Sequence, residues 1–169
     1  KCLQRLVRLD LPVPRTVALS FDAVRRIAAG ESPDMSALLA PFGDDPILCV
    51  RPSSEDPDWG GPGASLNIGI NDQRANRLAA QIGVEPAARL YLRFVQSYAV
   101  HVARLDAALF DGLPEDAQDA LALALQIYQD DAEEPFPQDE GAQLLEVLRS
   151  MARAWQGTTA LLVSQAQGA

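Results

Sequence analysis

A succession of helical patterns between residues 71 and about 157 constrains the fold of this chain more than any other feature. Asp72 opens a helix that Gly83 ends, and Glu85-Pro86 opens a longer helix that continues to Gly112. The apolar residues of the longer helix are spaced by three and four, so they share one face: Tyr91, Phe94, Tyr98, Val102, Leu105 and Leu109. Further helices are predicted over residues 114–129 and 139–156. These patterns predict a domain whose core lies between packed helices.

The first 70 residues differ, because proline and glycine divide them into short apolar runs that are typical of strands and short helices. Ser20 is placed to cap a helix over residues 21–29, and a second short helix is predicted at 36–39. Strands are predicted at residues 17–20, 47–51, within 65–70 and at 159–163, after Gly157 has ended the last helix. Leu66, Ile68 and Ile70 alternate with Asn67 and Gly69, which is the period of a strand with one apolar face. The sequence therefore predicts an α+β, predominantly helical fold in which residues 1–70 and 136–169 carry a small sheet and residues 71–135 form an inserted helical subdomain.

Composition and charge exclude several classes of protein. Hydrophobic residues make up 48% of 169 residues, which is too many for a disordered tail. There is no apolar run of about 18 residues that would span a membrane. The 14 basic residues form no dense patch and are outnumbered by 23 acidic ones, so we expect neither a nucleic-acid nor a membrane partner. The first residues do not resemble a signal peptide. Cys2 and Cys49 are interpreted as free thiols rather than as a disulfide framework, and Cys49 is expected in a buried strand. Together these features predict a cytoplasmic protein.

Five short blocks occur in a fixed order along nearly the whole chain: Leu11-Pro-Val-Pro14, Val50-Arg51-Pro-Ser-Ser54, Leu66-Asn-Ile-Gly-Ile-Asn-Asp72, Tyr91 to Tyr98, and Phe136-Pro-Gln-Asp139 followed by Trp155. In sequence, order and spacing they resemble the N-terminal part of the nucleotide-binding region of pyruvate phosphate dikinase and the related phosphoenolpyruvate synthases. That region has an ATP-grasp fold. The resemblance implies part of a phosphotransferase, or kinase, region with ATP and magnesium as its cofactors.

The best candidate site lies where the second block meets a glycine-rich loop. A guanidinium at the end of an apolar strand can hold phosphate oxygens in a bidentate manner, and this is the role we assign to Arg51. Backbone N–H groups of Gly60, Gly61 and Gly63 can donate to phosphate in the same loop. The structural alternatives are an Arg51 that anchors the loop through its acidic neighbours, and a glycine stretch that is only a flexible surface turn. Trp59 either stacks on a base or covers the edge of the domain. The neighbouring acids are Glu55, Asp56 and Asp58.

The chain departs from the family at several positions, and two functions stay open. Gly63 and Ala64 stand where the family has Asp and Thr, and Lys1 lies two positions away from the family's phosphate-binding lysine. The family's magnesium-binding carboxylates come after the point that corresponds to residue 169. One hypothesis is therefore an ATP-binding part of a dikinase-like phosphotransferase region, with the isolated chain inactive. The other is a truncated, non-catalytic relative that acts as an interaction or regulatory module, with a protein partner or by self-association.

Two other groups of side chains have structural interpretations. His101 is the only histidine and has no neighbouring ligand for a metal, so we expect a structural or partly exposed residue. The acidic residues between 130 and 140 are spread over a loop and a helix start. They are expected to solvate the loop and favour the helix N-terminus rather than to hold a cation. No metal site is predicted.

Overall fold

The structure, a computed structural model, describes residues 2–53 and 61–167, with side chains described from residue 5 to 53 and from 61 to 158. The fold is α+β and predominantly helical, as predicted. The helices are α1 (Cys2–Arg8), α2 (Phe21–Ala28), α3 (Met35–Leu39), α4 (Asp72–Ile82), α5 (Val84–His101), α6 (Ala117–Ala132) and α7 (Glu140–Gln167). The strands are β1 (Leu48–Val50) and β2 (Ser65–Ile68), and short 3₁₀ turns cover Ala40–Phe42 and Ala107–Phe110.

The two strands form an antiparallel hairpin that contains a β-bulge. Leu48 pairs with Ile68 and Val50 with Ser65, so Leu66 and Asn67 together oppose Cys49. Asn67 takes the left-handed conformation with φ of 61°, which asparagine tolerates better than most residues. The extra residue interrupts the alternation, so Ile68 is buried while Leu66 is 49% exposed. The prediction that Leu66 and Ile68 share a buried face is therefore wrong.

Helix packing around one aromatic side chain forms the core. Helix α5 packs against α4, α6 and β2, and α2 packs against α7. Phe136, in the loop between α6 and α7, makes edge contacts with four rings at centroid distances between 5.2 and 5.9 Å: Tyr91, Phe94, Tyr98 and Tyr128. The predicted apolar stripe of α5 is confirmed for its three aromatic residues, which are buried. Burial raises the pKa of Tyr128 to about 12.

Several helix boundaries follow the predictions closely. Helix α4 begins at Asp72 and ends at Ile82, and the single residue Gly83, with φ of 95°, turns the chain into α5. Ser20 caps α2 by accepting the N–H of Ala23 at 3.2 Å. Helix α3 has an equivalent cap in Asp34, whose carboxylate accepts the N–H of Ala37 at 3.0 Å. Each cap satisfies a backbone donor that the first helical turn leaves without a partner.

Other boundaries were predicted wrongly. Helix α5 ends at His101 rather than Gly112, because Arg104 adopts φ of 64° and the N–H of Leu105 turns back to the carbonyl of Ala99 at 3.0 Å. Leu105 and Leu109 therefore lie outside α5. Helix α7 continues through Gly157, so the strand predicted at 159–163 is helical. An isolated glycine is tolerated inside a helix, so Gly157 did not mark the end of α7.

Two expectations for the small sheet also fail. Residues 17–20 form no strand; they belong to no regular element, and Ser20 caps α2 with an extended backbone. Cys49 is exposed instead of buried, because alternation along β1 turns its neighbours Leu48 and Val50 toward the core and the thiol away from it. Three apolar side chains are exposed in this region, one from each strand and one just before β1: Cys49, Leu66 and Ile47.

Candidate functional site

The candidate site lies in the connecting loop of the hairpin, residues 51–64. Arg51 directly follows Val50, and Gly63 precedes its pairing partner Ser65 by two residues. The antiparallel register thus brings Arg51 and Gly63 to the same end of the hairpin, where both are exposed. Gly61 is half-buried. Gly60, Trp59 and the three acidic residues that were considered as partners of Arg51 lie outside the described residues.

The guanidinium of Arg51 has no carboxylate partner among the residues that the structure describes. Several other arginines do have such partners, including Arg26, Arg74, Arg89 and Arg149. An exposed guanidinium at the same end of the hairpin as Gly63 supplies hydrogen-bond donors, and such donors suit an anion.

An aromatic pair holds the chain immediately after Arg51. The indole Nε1 of Trp155, on α7, donates to the carbonyl of Ser53 at 3.0 Å. Trp155 also stacks on Phe21, the first residue of α2, with centroids 5.5 Å apart and planes 19° from parallel. Phe21 is 45% exposed. The first residues of the connecting loop are therefore tied to α2 and α7 through one side chain.

Arg74 fixes the opposite end of the hairpin, and sequence reasoning did not identify it. Its side chain is only 4% exposed. The Nη1 atom donates to the carbonyls of Gly69 and Pro46, joining the chain beyond the Leu48–Ile68 pair. Nη2 lies 3.1 Å from the Asp45 carboxylate and 3.4 Å from that of Glu140. Buried guanidinium groups require such partners, since an unpaired charge in the interior is costly.

The position of the Arg74 side chain accounts for two features near it: the requirement for glycine at position 69 and the lowered pKa of Asp45. A Cβ on Gly69 would lie 2.5 Å from the Pro46 carbonyl oxygen and 2.6 Å from Nη1 of Arg74, and φ at this position is 98°. Only glycine fits such a place. Hydrogen bonds from Arg74 and Arg77 lower the pKa of the Asp45 carboxyl below its ordinary value of 3.8, because they favour the charged form.

Gln143 joins the segment after β2 to α7. It is fully buried, and its Oε1 accepts the N–H of Gly69 at 2.8 Å. Its Nε2 donates to the carbonyls of Ile70 at 3.0 Å and Pro137 at 2.7 Å. One amide side chain therefore supplies hydrogen-bond partners to three backbone groups that lie outside helices and strands. Buried backbone groups require such partners.

Gln138 connects three of the blocks that carry the sequence resemblance. Its Oε1 accepts the N–H of Asp72 at 2.9 Å, and its Nε2 donates to the Tyr91 hydroxyl at 3.1 Å. Tyr91 in turn donates to Oδ1 of Asp72 at 2.9 Å. Asn71 caps α4 and donates from Nδ2 to the carbonyl of Gln138 at 2.8 Å. These polar residues hold the start of α4, α5 and the loop before α7 together.

The remaining sequence candidates lie elsewhere and have local roles. His101 is exposed at the end of α5, and its carbonyl accepts the hydroxyl of Ser150 at 2.6 Å. Asp139 caps α7 through the N–H of Ala142 at 2.7 Å, and Glu140 pairs with Arg74. In the described part of the chain, no three His, Cys, Asp or Glu side chains lie close enough together to hold a metal ion.

Comparisons with known proteins identify no family for this chain. A scan against known protein families finds no match, and neither does a search of curated proteins. None of the helices in residues 2–53 and 61–167 combines the length and apolar character that a membrane crossing needs.

Proposed function

We propose that this chain is part of a pyruvate phosphate dikinase-like ATP-binding region and that its connecting loop binds the phosphate groups of a nucleotide. The observation that carries the proposal is the hairpin register, which brings the exposed Arg51 to the same end as Gly61 and Gly63. Arg51 would hold phosphate oxygens through its planar donors, and the glycine N–H groups would donate to the same anion.

The contacts between the sequence blocks support this proposal. The second block begins at the end of β1 and the third block contains most of β2, the strand paired with it; the second block also reaches the fifth through the Trp155–Ser53 hydrogen bond. The third, fourth and fifth blocks meet at Asp72, Tyr91 and Gln138. Four blocks that are distant in the sequence are therefore in contact, as expected if they form the frame of one nucleotide-binding region.

The residues present fit phosphate better than they fit magnesium. Arg51 and the glycines supply donors, whereas the described residues contain no cluster of carboxylates for a cation. When bound, magnesium would neutralise phosphate charge and polarise the transferred group. We therefore expect the isolated chain to bind the nucleotide without transferring its phosphoryl group.

The proposal is tested by calorimetric titration of the full chain with Mg-ATP, beside Arg51→Ala and a matched Arg93→Ala control. Arg93 is an exposed arginine on α5 and belongs neither to the hairpin strands nor to their connecting loop. Loss of charge-assisted hydrogen bonds worth about 1.5–3 kcal/mol should weaken binding by Arg51→Ala roughly tenfold or more. Arg93→Ala should bind like the wild type. A folded wild-type chain that takes up no Mg-ATP would contradict the proposal, as would equal affinity of all three proteins.

A non-catalytic interaction module is the second candidate function. It is favoured by exposed apolar side chains on the hairpin. Ile47 is 43% exposed and Leu66 is 49% exposed, and Cys49 is exposed as well. A second copy of the chain could cover these side chains, since an apolar stripe is complementary to itself about a two-fold axis. Sedimentation velocity distinguishes the two: dimerisation that Leu66→Glu abolishes, without Mg-ATP binding, would favour the module.

A further inference from the structure

We infer that the exposed ring of Phe21 is the stacking surface for the base of the nucleotide whose phosphates Arg51 holds. This inference rests on the proposed function and adds a base subsite to it. It starts from an exposed ring in a fixed position: Phe21, the first residue of α2, is 45% exposed although it stacks on a second ring.

Phe21 is held in position beside the loop. The near-parallel stack with Trp155 fixes one side of its ring, and the hydrogen bond from Trp155 to Ser53 ties this stack to the segment that Arg51 begins. A rigid ring loses little conformational entropy when a base stacks on it, and every base has an apolar π face.

Arg51 and Phe21 are joined by a short series of contacts through Trp155. Ser53 is two residues from Arg51, a span of about 7 Å in an extended chain. Trp155 contacts the carbonyl of Ser53, and its ring centroid is 5.5 Å from that of Phe21. These contacts limit the separation of Arg51 from Phe21, and a ligand that reaches both needs an anionic end for Arg51 and an aromatic end for Phe21, as a nucleoside triphosphate has. The exposed apolar ring and the guanidinium thus match the two chemically different ends of this ligand class.

The test compares Mg-ATP with magnesium tripolyphosphate, which carries the phosphates but no base. Both ligands are titrated calorimetrically into the wild type, Phe21→Leu, Phe21→Tyr and Arg51→Ala, after circular dichroism has shown that each variant is folded. Phe21→Leu keeps apolar bulk and removes the ring, whereas Phe21→Tyr keeps the ring. We expect Phe21→Leu to weaken Mg-ATP about tenfold and to leave tripolyphosphate unchanged, and Phe21→Tyr to retain wild-type affinity for both.

The other outcomes separate this inference from the proposed function. If Arg51→Ala weakens both ligands while Phe21→Leu weakens neither, the base subsite is refuted and the phosphate site stands. Equal weakening of both ligands by Phe21→Leu would mean that the ring only supports the loop, which also refutes the subsite. If the wild type binds neither ligand, the proposed function fails and this inference fails with it.

Discussion

Replacing Gln143 by methionine should destabilise the protein more than any other single amide substitution among the described residues. Methionine has a similar length and keeps the apolar contacts of the side chain, but it can neither accept from Gly69 N–H nor donate to the carbonyls of Ile70 and Pro137. The change therefore isolates the hydrogen bonds from the packing.

The expected magnitude follows from the three backbone groups that lose their partner. A buried polar group without a partner costs about 1–3 kcal/mol. Two of the three contacts are buried and the third, to Pro137, is partly buried. We therefore expect a loss of about 3–5 kcal/mol in the free energy of unfolding, a large share of the 5–15 kcal/mol typical of a domain. For a chain of this size the melting temperature should fall by roughly 10 °C.

Urea unfolding followed by far-ultraviolet circular dichroism measures this loss, provided that the slope with denaturant concentration is unchanged. Gln126→Met is the matched control, because Gln126 is an exposed helical glutamine that bonds only the side chain of Asp130, at 2.8 Å. It should change stability by less than about 0.5 kcal/mol. A difference between the two variants below about 1 kcal/mol would refute the role assigned to Gln143.

Three further predictions concern glycines and the buried arginine. Gly69→Ala should lose about 3 kcal/mol or more in urea unfolding, because its Cβ would collide with the Pro46 carbonyl and Arg74, whereas Gly112→Ala, with positive φ but open space, should lose only about 1–2 kcal/mol. Gly157→Ala should raise the melting temperature, since alanine in a helix interior is favoured by about 0.5–1 kcal/mol; a lower value would contradict the continuous α7. The lowered pKa of Asp45 contributes stability that is present above pH 3.8 and is lost as pH falls through the folded-state pKa. The urea midpoint of the wild type should therefore fall more steeply at acid pH than that of Asp45→Asn. Parallel curves would contradict the ion pair with Arg74.

The sequence predicted the helices that have strong boundary signals. Asn71 and Gly83 are residues with recognised capping preferences, so α4 was located to the residue. The ends of α5 and α6 were missed because Arg104 and Glu133 adopt the left-handed conformation that usually indicates glycine. At Gly157 the error was the opposite one: the glycine predicted the end of a helix, but α7 continues past it to Gln167.

The two strands were predicted, but their pairing as a hairpin and the faces of the hairpin were not. Alternation placed Leu66 beside Ile68, and no sequence pattern indicates that Asn67 takes up an extra position in β2. The same limit applies to the polar framework. Arg74 and Gln143 look like ordinary helical residues, and their burial depends on where Pro46, Gly69 and the loop before α7 lie in three dimensions. Arg51 could be proposed as a candidate from the sequence because it ends a predicted strand and is followed by a glycine-rich stretch.

An amide NMR titration of the isotope-labelled chain with Mg-ATP tests the central claim most directly, because it reports which residues respond. We expect the largest shift changes at Arg51, Gly61 and Gly63, with smaller changes at Ser53 and across the hairpin. No changes in a well-folded spectrum, or changes confined to a distant element such as α6, would contradict a phosphate site in the connecting loop.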